Sequence, residues 1–303
     1  MAGIVGIGNA PCSWGVLEFD LDGEAPVYER VLNEMAEAGY AGTELGDWEF
    51  MPTDPQALQK ELTDRNLAML GAFVPVKLSD PEALHSGRQK ALETARLLAE
   101  VGGETPVIVL ADDNGSDLVR THHAGRIYPG TFQFSRAQWE VAAHTANHIA
   151  LSVSEETGLR TVFHPHCAGY VETPEEVGLF MEATHPRLLG LCLDTAHCAY
   201  GGGDPLDLIR HYGDRIWHVH FKGYHAGVAV QCREMEADYF EAVRRGVFCE
   251  LGQSTIDFQV VLSALKEIDY EGWIVVEQDV LPGTGNPFES ALKNREYLRS
   301  IGL

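Results

Sequence analysis

Four short apolar segments end in side chains able to hold a divalent cation: Thr161-Val-Phe-His-Pro-His166, Leu191-Cys-Leu-Asp194 with His197 one helical turn on, Trp217-His-Val-His220 and Trp273-Ile-Val-Val-Glu277. Imidazole nitrogen with carboxylate oxygen suits Mn, Fe, Co, Zn or Ni, and no Cys pair stands beside them as a closed structural zinc site would require. Taken singly, each histidine reads as a core residue with a hydrogen-bond partner. Four polar strand ends together point to an ion or a substrate, because several unpaired ionisable groups in one buried place are costly without one. Side chains alternate along a strand, so the members of each His-x-His pair share a face and the later one lies nearer the strand end. This reading puts His166 and His220 on the ion with Asp194 and Glu277, and His164 and His218 one layer below as support or substrate contacts.

The elements that must position these residues repeat along the chain. Strands are predicted at 3–8, 41–45, 67–74, 105–110, 160–165, 188–193, 215–221 and 272–277. Between them lie amphipathic stretches at 26–38, 55–65, 81–101, 136–157, 174–183, 204–212, 257–268 and 288–300, several opened by Pro or Asp. Eight βα units without a linker predict one (β/α)8 TIM barrel spanning 1–303, whose active site belongs at the carboxyl ends of the strands. The connections 111–135 and 223–255 are longer than barrel loops usually are; both follow a strand's carboxyl end and are read as lids.

The chain holds 45 acidic against 22 basic residues, a formal charge of −23, which repels phosphate backbones and anionic lipid. Nucleic-acid and membrane partners are therefore not expected. Six cysteines without a CxxC pair fit reduced, mostly buried thiols, and the start of the chain lacks a basic, apolar leader, so a cytoplasmic location is expected. The Gly201-Gly-Gly203 run lacks the GK[ST] ending of a phosphate loop and reads as turns before a helix capped around Asp204.

Other residues carry two readings each. Lys222 is either a surface lysine or an ammonium that polarises a keto oxygen or a leaving hydroxyl. Glu44, at the end of strand two, is either a capping carboxylate or a polyol contact or base. Trp14 and Trp48 are either core or apolar platforms for a ring's C–H face.

Taken together, the chain resembles the xylose-isomerase-like barrel superfamily of sugar isomerases and epimerases, and within it the myo-inosose dehydratases. The likeness covers nearly the whole length. It is carried by Asn9-Ala-Pro-Cys-Ser-Trp-Gly15, Gly42-Thr-Glu-Leu-Gly46, Phe163-His-Pro-His-Cys-Ala-Gly169 with Glu172, Leu193-Asp-Thr-Ala-His197, Tyr200-Gly-Gly-Gly-Asp-Pro205, His218-Val-His-Phe-Lys222, Phe248-Cys-Glu-Leu-Gly252 and Val276-Glu-Gln-Asp279. In the epimerases that this resembles, strands five to eight supply Glu, Asp, His and Glu to a metal, with a further Glu six residues after the first. His166 and Glu172 keep that spacing, so the resemblance implies an imidazole where the epimerases have a carboxylate. Those enzymes resemble a two-base system with a carboxylate on each face of the sugar; retention of only the strand-eight carboxylate favours elimination over epimerisation. The dehydratases usually place Asp after the Lys, where this chain has Gly223.

The resemblance thus implies a lyase that removes water from a cyclic keto-polyol, above all 2-keto-myo-inositol, through an enolate. One divalent ion, Mn or Co ahead of Mg, Zn or Fe, would sit on His166, Asp194, His220 and Glu277. Glu277 or Glu44 would take the α-proton, and His197 or Lys222, with Glu172 orienting His197, would assist departure of the β-hydroxyl. The alternatives are a metal-dependent ketose isomerase or epimerase, a lyase of 3-keto-glycosides like the C-glycoside deglycosidases, and a non-catalytic polyol-binding barrel. The expected partner is a small polyol or keto-sugar, and a homo-oligomer is compatible with the sequence.

Overall fold

Strands and helices alternate throughout the computed structural model, which describes residues 3–17, 26–101, 106–281 and 285–303. The strands are β1 (Ile4–Asn9), β2 (Gly42–Glu44), β3 (Ala68–Val76), β4 (Val107–Asp112), β5 (Arg160–Phe163), β6 (Leu189–Asp194), β7 (Ile216–Tyr224), β8 (Phe248–Cys249) and β9 (Gly272–Glu277). β1 to β7 pair in parallel in sequence order, and β9 pairs in parallel with both β7 and β1, so eight strands close a barrel. β8 is a two-residue antiparallel addition to the end of β7. The expected (β/α)8 barrel is the fold.

Alternation sorts the side chains into two layers. Leu191, Leu193, Val219, Phe221, Ile274 and Val276 pack between the sheet and the outer helices. Val107, Val109, Val162 and Cys192 form a separate cluster with Phe73 and Trp217, and Ala10, Leu70 and Val275 form another with Trp273; these fill the inside of the barrel. Helix starts follow their sequence signals. Ser135 and Gln138 make a reciprocal cap on the helix Arg136–Thr157, as Thr173 and Glu176 do on Pro174–Ala183. Asp204 accepts the N–H of Leu206 at the head of Pro205–Tyr212, as the Gly-Gly-Gly-Asp-Pro run predicts.

The boundaries differ where function lies. β5 stops at Phe163, short of the predicted 165, because Pro165 has no N–H with which to continue the ladder. β7 runs on to Tyr224, three residues past its predicted end, because β8 pairs with its extension. Position 105, predicted as strand, lies outside the described residues. The long connections are not bare loops: the first carries a helix at Leu118–His123, and the second carries helices at Ala226–Glu234 and Tyr239–Arg244 as well as β8.

Candidate active site

The strand parity that buries Val162 inside the barrel also turns His164 inward, and the His164 N–H extends the ladder by donating to the Leu110 carbonyl at 2.8 Å. His164, Asp194, His220 and Glu277 are all buried, and each offers a ligand atom within 4.8 Å of those of the other three. His166 is not in this group. Beyond Pro165 the alternation no longer holds, and His166 joins His197 and Asp279 instead. Where the sequence reading put the later histidine of the pair beside Asp194, His220 and Glu277, the structure brings His164 there, because the strand ends between the two.

The four side chains leave lone pairs unused. His164 Nε2 lies 3.6 Å from Asp194 Oδ2, and His220 Nδ1 lies 3.9 Å from the same oxygen. His220 Nδ1 is also 3.2 Å from Glu277 Oε2 but is not aligned for a hydrogen bond. Nδ1 of His164, Oδ2 of Asp194 and Nδ1 of His220 are buried without a hydrogen-bond partner among the described residues. Leaving such an atom unsatisfied costs about 1–3 kcal/mol, and Asp194 Oδ2 and His220 Nδ1, 3.9 Å apart, fit a bound cation. Two imidazoles and two carboxylates make a donor set that allows a divalent metal.

Neighbouring groups fix the orientation of these donors. Oε1 of Glu44 accepts from Nε2 of His218 at 2.7 Å and from Nε2 of His220 at 2.9 Å. His220 therefore carries a proton on Nε2 and turns Nδ1 toward Asp194 and Glu277, and against burial Cys192, Glu277 and Glu44 raise its pKa. Glu44 is thus not a helix cap: against the cost of burial, His220 and His218 hold it far below the usual carboxylate range. Asp194 Oδ1 accepts the N–H of His197 at 2.7 Å, capping the short helix Thr195–Tyr200 and leaving Oδ2 to the group.

Lys222 shares the inward parity of His218 and His220 and is buried, which removes the surface reading. Its Nζ lies 2.9 Å from Asp279 Oδ1, 3.1 Å from Glu277 Oε2 and 3.6 Å from Asp194 Oδ2. Burial opposes the ammonium, but Asp279, Glu277 and Asp194 together raise its pKa and keep it charged. His197 Nδ1 lies 3.2 Å from the Cys167 nitrogen, and its Nε2 lies 3.1 Å from Lys222 Nζ and 3.6 Å from Asp279 Oδ2. Burial and the nearby Lys222 push His197 below the ordinary imidazole range, leaving it neutral.

One further expectation is corrected, and both tryptophans pack on the core, one of the two readings given to each. Glu172 does not orient His197: its carboxylate accepts the N–H of Gly125 at 2.7 Å and of Ala168 at 3.2 Å, tying the 111–135 connection to the loop after β5. Trp14 packs outward against the helix Tyr28–Ala38 and donates to Glu34 at 2.6 Å, because the turn Pro11–Trp14 carries it away from the barrel axis. Trp48, half-buried, packs on the same outer core. The cavity at the barrel mouth is walled instead by Phe73, Val16 and Cys12, with His164, His166, Lys222 and Glu277 at its floor and sides.

Two site residues escaped the sequence reading. Asp279 had a signal, since it lies two residues past Glu277 in a quoted motif. Tyr239 had none: it is in the 223–255 connection, and only folding brings its hydroxyl 2.9 Å from Asp279 Oδ2. The structure also explains Gly223. A Cβ there would sit 2.2 Å from the carbonyl oxygen of Cys249, so the close pairing of β7 with β8 admits no side chain.

A family model described as xylose isomerase-like TIM barrel matches residues 32–301. The inosose dehydratase of Geobacillus kaustophilus (strain HTA426) is 34% identical over 297 residues, covering 96% of this chain and 93% of that protein. The inosose dehydratase of Geobacillus thermodenitrificans (strain NG80-2) is 32% identical, with 97% and 96% covered. Among solved structures, the 3-keto-D-glucoside 4-epimerase of E. coli has the same fold, with a TM-score of 0.69 at 16% identity over 97% of this chain and 98% of that one. The chain belongs to the xylose isomerase-like TIM barrel family, on its inosose dehydratase-like, carbon–oxygen lyase branch.

Proposed function

We propose that this protein is a divalent-metal-dependent dehydratase of a cyclic keto-polyol, 2-keto-myo-inositol before others. The observation that carries the reading is the convergence of ligand atoms from His164, Asp194, His220 and Glu277 within 4.8 Å of one another, with Asp194 Oδ2 and His220 Nδ1 lacking hydrogen-bond partners among the described residues, within reach of a buried ammonium and a neutral imidazole. His164, Asp194, His220 and Glu277 would hold the ion, Mn or Co ahead of Mg, Zn or Fe. When bound there, such an ion supplies the Lewis acidity that lowers the pKa of a proton α to a ketone.

The chain's own groups divide the remaining work. Glu277 takes the α-proton, whereas Asp194 caps the His197 N–H and Glu44 is engaged by two imidazoles. Lys222 Nζ and His197 Nε2 stand 3.1 Å apart and face the departing β-hydroxyl, which leaves as water with a proton from the Lys222 ammonium. The reaction loses one water and involves no change of oxidation state. β5 supplies an imidazole and not a carboxylate, so only one face of the enolate meets a ligand carboxylate, which favours elimination over reprotonation.

The 111–135 and 223–255 connections follow β4 and β7 at the carboxyl-end mouth and serve as lids that keep water from the enolate. The strong negative charge supports a neutral polyol substrate over a phosphorylated one, and six unpaired thiols, five of them buried, support a reducing, cytoplasmic setting. The test is metal analysis of the purified protein, then NMR in deuterated water with 2-keto-myo-inositol and Mn or Co. One ion per chain and a dione product with loss of one water are expected. Efficient C3 epimerisation of fructose or tagatose, or release of an aglycone from a 3-keto-glycoside, without dehydration of any cyclic keto-polyol, overturns the reading.

A further inference from the structure

We infer that Tyr239 is a positioning residue of this site: its hydroxyl fixes Asp279, and Asp279 in turn aims the ammonium of Lys222 at the departing hydroxyl. The inference rests on the dehydratase reading above.

Tyr239 opens the helix Tyr239–Arg244, where Asp238 Oδ1 accepts the N–H of Glu241 at 2.8 Å as a cap. Ala242, Val243, Val247 and Phe248 anchor that helix in an apolar cluster of their own, distinct from the barrel core. From there the Tyr239 ring, only 1% exposed, reaches the site, 6.4 Å from His197 in near-parallel orientation and 5.7 Å from His166. Asp279 then has both oxygens committed, Oδ2 to the Tyr239 hydroxyl and Oδ1 to Lys222 Nζ, each at 2.9 Å. Turning the carboxylate breaks one bond or the other.

Lys222 has competing partners. Glu277 Oε2 at 3.1 Å and Asp194 Oδ2 at 3.6 Å both attract its ammonium, and both belong to the group proposed to hold the ion. An Asp279 free to rotate would release Lys222 toward Glu277, away from the leaving hydroxyl and onto the α-proton base. A displacement of about 1 Å at a reacting group can cost on the order of a hundredfold in rate, so a fixed Asp279 matters. Because Tyr239 comes from the 223–255 connection, the seating of that connection and the aim of Lys222 are one event.

The experiment compares wild type, Tyr239→Phe, Asp279→Asn and the double variant on 2-keto-myo-inositol in deuterated water with Mn. Deuterium in recovered substrate reports α-proton removal, and dione formation reports water loss. Tyr239→Phe keeps the ring and is expected to lower kcat for water loss about tenfold, with KM within about twofold, as befits one hydrogen bond to a charged group. Deuterium exchange per product formed should rise, since proton removal is spared. Added to Asp279→Asn, Tyr239→Phe should bring no further loss, and metal content should stay at the wild-type level. Tyr239→Phe turnover within about twofold of wild type, a change confined to KM, an unchanged ratio of exchange to water loss, or additive losses in the double variant each overturn the inference. Wild-type protein that neither exchanges nor dehydrates the ketone overturns the dehydratase reading and this inference with it, an outcome distinct from an active wild type with an indifferent Tyr239→Phe.

Discussion

Two buried sets of ionisable side chains flank the loop after β5, and their polar atoms are accounted for in opposite ways. On one side, Arg120 is fully buried and donates from its two terminal nitrogens to Glu176 at 2.8 and 2.9 Å, and from Nε to the Gly169 carbonyl at 2.7 Å. Glu176 also accepts the N–H groups of Glu172 and Thr173, at 2.9 and 3.0 Å, and Glu172 takes those of Gly125 and Ala168. On the other side, His164, Asp194 and His220 bury atoms that have no hydrogen-bond partner among the described residues. Burial and charge are alike in the two; satisfaction is not. A buried ion pair with its hydrogen bonds complete is architecture, whereas buried lone pairs left open beside one another are a binding site. That contrast separates the two sets where counting buried charges would merge them.

The sharpest way to test it is to remove an open donor. His164→Ala, Asp194→Ala or His220→Ala should abolish dehydration and lower metal affinity by more than the roughly hundredfold typical of losing a ligand's outer partner. Metal-free His164→Ala should unfold no more easily than metal-free wild type, because an unpaired buried atom has been deleted, whereas Asp194→Ala also removes the cap on the His197 N–H and His220→Ala a donor to Glu44. His166→Ala should keep the ion. Retention of metal by His164→Ala together with its loss from His166→Ala would reverse the strand-five assignment and break the comparison; metal titration and urea unfolding decide it.

Removing a closed partner should do the reverse. Arg120→Ala leaves Glu176 buried without its counter-charge, and a loss of about 3–5 kcal/mol in unfolding free energy is expected. Metal content per folded chain should not change. A variant of undiminished stability would mean that the pair is not the anchor of the 111–135 connection.

Glu172 adds a pH dependence on the closed side. Burial outweighs the nearby Arg120 and its two N–H donors, pushing its pKa from 4.5 up to about 7. Between those values the folded state binds more protons than the unfolded chain, so this contribution is complete below about pH 4.5 and is lost as pH rises through about 7. The shift corresponds to at most ~3 kcal/mol. Asp112, likewise raised by burial, to about 6, contributes with the same sign. Glu172→Gln should therefore flatten part of the fall in stability between pH 5 and pH 8, measured by urea midpoints; an unchanged slope would locate the effect elsewhere.

The smallest expected effect concerns the support beneath the open donors. Glu44→Gln leaves the four proposed ligands in place but weakens the acceptor that sets the His220 tautomer, and metal affinity should fall about 10–100-fold with little change in fold stability. Unaltered affinity in a calorimetric titration would show that His220 holds its orientation without Glu44.

How much of this could be read beforehand varies from residue to residue. Asp194, His220 and Glu277 end apolar runs, and period-2 alternation is a local property of the backbone, so their grouping was legible, as was the barrel that gathers them. His164 and His166 were not separable by that rule. Both share one parity, and the choice depends on where β5 stops pairing, which is set by Pro165 and by the Leu110 carbonyl of the adjacent strand. Glu172 kept a familiar spacing yet turned to Gly125 and Ala168, because a long connection from another part of the chain docks there. Trp14 looked like a platform at a strand end, but the tight turn Pro11–Trp14 sends it into the outer core.

The sequence by itself determined the alternation of strand and helix, the closed parallel barrel and the chemical types gathered at its mouth, because hydrophobic periodicity and capping act over a few residues. Only the tertiary structure decided which histidine faces Asp194, that Lys222 is buried among three carboxylates, and that Tyr239 arrives from a connection forty residues before Asp279 to hold it. Those outcomes depend on strand termination, on partners distant along the chain and on the balance between desolvation and pairing, none of which has a local signature.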